Sequence, residues 1–208
     1  EVISPMEFIP LLEETGLIIP AGRFILKEAA KMCCEILQFI PDFQMNINVS
    51  YVQITQGSVE DDIIEVIKKY ALDPASICIE MTESGFIDMT IPFIRFRHKL
   101  ESNRIHFVID DFGTGYSNLH CISDMNPDYI KIDRDFTAKA MDGQRDYELF
   151  KNIITMIHSV NARICVEGIE QREWCQKMKK MGADLLQGYF YGKPCKKSDF
   201  ITNYVRGN

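Results

Sequence analysis

The chain has 208 residues, 46% of them apolar and 25% charged, which is enough for one domain with a substantial core and too apolar for disorder. Its formal net charge is −7, and the densest basic set, Lys177, Lys179 and Lys180, reads as a solvated helix face, so a DNA or RNA surface is disfavoured. The apolar stretches break well before the roughly eighteen residues of a membrane span, and no membrane contact is expected from this segment.

Ser4-Pro5-Met6-Glu7 reads as a helix start, with serine as N-cap, proline at the first helical position and glutamate at the third completing a capping box. Gly16 and Pro20 are expected to end that helix. A second is predicted from about Ala21 to Phe39, where Phe24, Ile25, Ala29, Met32 and Ile36 recur near helical spacing, and it stops at Pro41.

From there short β-branched and aromatic runs alternate with longer amphipathic ones. Strands are predicted at Phe43 to Ser50, Ser76 to Thr82, His106 to Asp110, Tyr129 to Asp133, Arg163 to Glu167 and Leu185 to Tyr189. Helices are expected near 58–70, 91–102, 145–160, 171–181 and 197–205. No Gly/Ser/Pro tract divides them, so residues 1–208 read as one domain. Such units suit either an open doubly wound sheet or an eight-stranded barrel lacking two early strands. No G-x-G-x-x-G or Walker-type loop follows the first strand, which weakens the open sheet.

The strand ends tip the choice to the barrel, whose active sites form at that rim. They carry Asn48, Glu80, the pair Asp110-Asp111, Lys131, Glu167 and Gln187. Singly these read as a turn asparagine, a solvated glutamate or a snorkelling lysine. Together, in strands otherwise written in apolar letters, they would be costly to bury unless they pair or coordinate cations. The four histidines (98, 106, 120, 158) show no i, i+4 pairing, so zinc is disfavoured. Carboxylates and an amide oxygen suit Mg²⁺ or Mn²⁺, and adjacent aspartates can be divided between two ions that cleave a phosphoester. The Asp111-Phe112-Gly113 triplet lacks the other segments of a protein kinase, and Gly113 and Gly115 instead permit a tight loop over the metals.

Seven cysteines, an odd number without a C-x-x-C pair, fit reduced thiols in a cytoplasmic protein, with Cys78 and Cys165 as small buried hydrophobes. Because the chain starts at Glu1 with no leader, residues upstream are expected to be missing.

SPMEFIPLLEETGLI at the start, NINVS around Asn48, IEMTES around Glu80, DDFGTGYSNL from Asp110, DYIKID around Lys131, VEGIE around Glu167 and LLQGYFYGKP around Gln187 together resemble the EAL domain of cyclic di-GMP phosphodiesterases, in order along the whole chain. The resemblance implies an α/β fold, a TIM-type (β/α) barrel truncated at its N-terminus to about six of eight strands. It implies hydrolysis of cyclic di-GMP to pGpG at a two-metal site. Asn48, Glu80 and Asp110 would hold one ion, with Asp110 bridging. Asp111 would hold the other, with water-mediated help from Glu167 and Gln187. Lys131 would orient or activate the attacking water, Glu83 would anchor the loop after Asp110, and Glu170 would support the neighbouring shell.

The family's E-A-L glutamate, itself a metal ligand, has no counterpart here and would lie just before Glu1, as would an arginine that contacts substrate. Activity of this chain by itself is therefore in question. An inactive cyclic di-GMP receptor is the alternative, although receptors lose several of the positions kept here. Further expectations are an upstream GGDEF, sensor or receiver domain, and a homodimer that covers the open strand edges.

Overall fold

A computed structural model describes residues 3–82, 89–114, 122 and 124–205. It divides into two compact units. The first takes in residues up to Met81, 89–106 and 200–205, and the second runs from Phe107 to Asp199. Among the described residues the six predicted strands are all present.

In the first unit, α1 (Pro5–Glu14) starts where the Ser4 hydroxyl accepts the Met6 N–H at 3.3 Å and Pro5 occupies the first turn. The next helix, α2 (Ile18–Leu37), begins earlier than the predicted Ala21. Pro20 does not separate the two helices, because in a first turn its missing N–H has no acceptor to lose. The break falls at Gly16, whose φ is 72°. Helix α2 buries Ile18, Leu26, Ala30, Cys33 and Ile36 at helical spacing.

Strand β1 (Met45–Asn48) leads into α3 (Tyr51–Gln56), a helix that the sequence did not predict. The reciprocal box expected at Ser4 forms here instead: the Ser50 hydroxyl receives a helix N–H while the Gln53 side chain accepts the Ser50 N–H. After α4 (Val59–Tyr70), strand β2 (Ile77–Thr82) pairs in parallel with β1, setting Asn46 opposite Cys78 and Asn48 opposite Glu80, and α5 (Ile91–Ser102) follows. Ile54, Ile63, Ile79, Phe93, Phe96 and Leu100 are fully buried and form the unit's core.

The second unit is a parallel sheet in chain order: β3 (His106–Phe112), β4 (Tyr129–Ile132), β5 (Arg163–Val166) and β6 (Leu185–Leu186). Helices α6 (Arg134–Asp142), α7 (Gln144–Ser159) and α8 (Arg172–Met181) join these strands. The sequence did not predict α6; the described residues close with α9 (Lys197–Phe200) and a π-turn over Ile201–Val205, which belongs to the first unit. Ile130, Ile132, Ile164 and Val166 are completely buried, as are Phe150 and Ile157 of α7.

Strand β6 is shorter than the predicted Leu185 to Tyr189. At Gly188 the backbone runs so close to Ile169 that an added Cβ would lie 2.2 Å from its carbonyl oxygen, and Phe190 N–H bonds to that carbonyl instead of extending the ladder.

The amino ends of these strands are tied by aspartates. Asp128, just before β4, accepts the Phe107 N–H at 2.8 Å. Asp184, just before β6, accepts the Ile164 N–H at 2.8 Å and meets His158 Nε2 at 2.9 Å. Burial raises the Asp184 carboxyl, but the bonds from His158 and Ile164 outweigh it and hold the group below the usual carboxylate range. Among the described residues the cysteines are free thiols, and no helix is long and apolar enough to cross a membrane.

Candidate metal centre

Regular β-structure points successive side chains to opposite faces, so two adjacent aspartates in one strand would ordinarily diverge. Strand β3 avoids this with an irregularity. Its register against β4 shifts between Ile109 and Phe112, and Asp111 adopts φ 55°, a left-handed conformation that aspartate tolerates better than most residues. The Asp111 N–H donates to Asp110 Oδ1 at 3.0 Å. As a result Asp110, Asp111 and Glu167 each offer a carboxylate oxygen within 4.8 Å of the others.

Lys131, on β4, lies between the aspartates and Glu167. Its Nζ is 3.1 Å from Asp110 Oδ1 and 2.7 Å from Glu167 Oε1, and the residue is only 5% exposed. Gln187, just beyond β6, donates its amide to Glu167 Oε1 at 3.0 Å. Four strands thus deliver Asp110, Asp111, Lys131, Glu167 and Gln187 to one rim. Glu167 depends on the residue that follows it. Gly168 has φ 72°, and a Cβ there would sit 2.5 Å from that of Arg134, so only glycine lets the chain turn this closely past the start of α6.

Three carboxylates against one ammonium leave two negative charges in excess when all are ionised. The electrostatics register this. Burial raises the Asp111 carboxyl, and repulsion from Asp110 and Asp133 adds to it, against a smaller opposing pull from Lys131. Burial likewise raises Glu167, with Lys131 opposing and the two aspartates reinforcing. A hard divalent cation answers that excess with oxygen donors already gathered, so the donor set fits Mg²⁺ or Mn²⁺ chemistry.

In the first unit Asn48 is the last residue of β1 and is exposed, while Glu80, opposite it in register, is 3% exposed. Glu170 is exposed in the loop after β5. Glu83 and residues 115–121 of the loop after Asp110 lie outside the described residues. Two contributors escape the sequence reading: Asn46, whose Nδ2 donates to Glu80 Oε1 at 2.7 Å, and Gly168. The first shows in the N-x-N spacing, which puts both amides on one strand face, and the second in the glycine directly after a strand-end glutamate.

The model of the EAL domain family matches residues 1–194. Cyclic di-GMP phosphodiesterase PdeL of Escherichia coli K12 is 31% identical over 98% of this chain and 57% of its own length. The bifunctional diguanylate cyclase/cyclic di-GMP phosphodiesterase MucR of Pseudomonas aeruginosa is 28% identical over 97% of this chain and 30% of its own. The chain therefore spans less than two thirds of these relatives. Among solved structures, the EAL enzyme Bd1971 in its form bound to cAMP and cyclic di-GMP superposes with a TM-score of 0.90 at 30% identity, covering 97% of this chain and 56% of that one. The MucR phosphodiesterase in complex with cyclic di-GMP gives 0.86 at 28% identity, covering 95% and 81%. This likeness shows the fold, the (β/α)-barrel type of EAL domains.

Proposed function

This chain belongs to the EAL domain family, and on that premise we propose that it is the phosphodiesterase part of a bacterial, cytoplasmic second-messenger protein that hydrolyses cyclic di-GMP to linear pGpG. The observation that carries this reading is the cluster of Asp110, Asp111 and Glu167 around a buried lysine, an arrangement with too much negative charge to be a structural ion-pair network and with the donor chemistry of a Mg²⁺ or Mn²⁺ site.

Asp110 and Asp111 are the proposed principal ligands, and Glu167 and Gln187 would assist through water. Asn48 and Glu80 are proposed as further ligands on the strength of family membership, each standing in the outer half of its own strand. Glu83 is the proposed anchor of the loop after Asp110, and Glu170 the support of the neighbouring shell. Divalent cations held by these residues would supply positive charge for the anionic phosphate and for a water nucleophile. Lys131 does the positioning. Its ammonium is held by Asp110 and Glu167 at the rim, and its proposed part is to orient the attacking water toward the scissile P–O bond. Water adds across that single bond, opening the ring to the linear dinucleotide. The proposed partners are cyclic di-GMP, a second copy of the chain, and an upstream input domain such as GGDEF, receiver or sensor.

The test is pGpG release in Mn²⁺ by the protein and by Asp110→Asn. Turnover is expected to fall at least about a hundredfold in the variant. Equal rates would remove Asp110 from its role, and cyclic di-GMP binding without any turnover by the wild type would make the chain a receptor.

A further inference from the structure

Two glutamates of the first unit, Glu60 and Glu80, are almost completely buried. Glu60, 1% exposed at the start of α4, is met by a cation, Arg95 Nε at 2.9 Å. Glu80, 3% exposed on β2, is met by the neutral amide of Asn46 at 2.7 Å. The parallel register explains how. Asn46 lies opposite Cys78 and Asn48 opposite Glu80, so the two asparagines share one strand face, with Ile47 buried on the other, and Asn46 reaches diagonally to the carboxylate.

We propose that Asn46 is a positioning residue: its amide fixes the Glu80 carboxylate in the orientation in which that group meets a divalent cation. The inference rests on the proposed role of Glu80 as a ligand. An amide supplies direction without charge. It occupies Oε1 as a hydrogen-bond donor and orients the carboxylate plane, and it does not compete with a metal as an ammonium or guanidinium would. Partners of this kind outside the ligand set usually matter to metal affinity by about 10–100-fold.

The experiment is a Mn²⁺ titration followed by electron paramagnetic resonance on wild type, Asn46→Ala, Glu80→Gln and the double variant, with turnover measured alongside. Asn46→Ala is expected to weaken Mn²⁺ binding about 10–100-fold. The double variant should bind no more weakly than Glu80→Gln, and saturating Mn²⁺ should restore turnover to Asn46→Ala. Wild-type affinity in a folded Asn46→Ala protein, or losses that multiply in the double variant, would overturn the inference while leaving the proposed phosphodiesterase intact. Unchanged affinity in Glu80→Gln would overturn it from the other side, by removing Glu80 from the ligands. Should Asn46→Ala not fold, Asn46→Ser, which keeps a shorter donor, carries the same cycle.

Discussion

The two ends of the second unit's sheet use the same residue type to opposite effect. At the amino ends, Asp128 and Asp184 each take a backbone N–H from the preceding strand, and Asp184 is stabilised in its charged form. At the carboxyl ends, Asp110 and Asp111 stand beside one another and Glu167 with a single lysine among them, and Asp111 and Glu167 are held above the usual carboxylate range. One end places its carboxylates on backbone N–H groups and a histidine; the other gathers three carboxylates around one ammonium. An aspartate in a strand is therefore read by its partners rather than by its type, and in this fold by which end of the strand it occupies.

The sharpest way to break the contrast is Lys131→Met. If the rim is functional, pGpG release in saturating Mn²⁺ should fall by about 10²–10⁴-fold, the range for a lost acid–base or positioning group, and the metal-free protein should lose thermal stability because three carboxylates are left without their ammonium. A folded variant that loses stability but keeps its specific activity would make Lys131 structural.

Gly168→Ala comes next. It places a Cβ against Arg134 in a left-handed backbone, so it should lower stability by about 1–3 kcal/mol in denaturant titration and shift Glu167 enough to weaken Mn²⁺ binding more than the melting data alone account for. At the other end, Asp184→Ala orphans the N–H of buried Ile164. Its expected cost is about 1–3 kcal/mol of stability with Mn²⁺ affinity unchanged; altered metal binding there would erase the distinction between the ends.

The smallest effect is one of pH. Because the native Asp184 carboxyl titrates below its unfolded value, the unfolded chain binds more protons in the window between the two. The contribution of Asp184 is thus complete above the ordinary aspartate range and is lost as pH falls through its lower native value. Denaturant midpoints of wild type and Asp184→Asn across that window should converge as the solution is acidified; a constant gap would refute the assignment.

Much of this was legible in the sequence, for reasons that differ by element. The strands stand out because buried parallel strands are written in near-continuous apolar letters, and Asn48, Glu80, Asp110, Lys131, Glu167 and Gln187 stand out as polar exceptions at or near their ends. Helix α3 is six residues long, too short to show a period, and α6 buries only Thr137 and Ala140, so neither carries an apolar stripe to detect. Pro20 misleads because a proline that terminates a helix and one that opens the next look alike in one dimension. Asn46 and Gly168 act through distances to Glu80 and Arg134, residues 34 positions away in each case (80 less 46, and 168 less 134), and the N-x-N spacing and the glycine after a strand-end glutamate do not name those partners.

The left-handed backbone at Asp111 constrains how this rim can drift over time. Asparagine and glycine share aspartate's ease in that conformation, while a β-branched replacement would strain the turn as well as delete a proposed ligand. On the proposed role of Asp111, loss of function is channelled toward Asp111→Asn or Asp111→Gly, first steps that spare the architecture, and either residue at this position would mark a chain that kept its shape without that ligand.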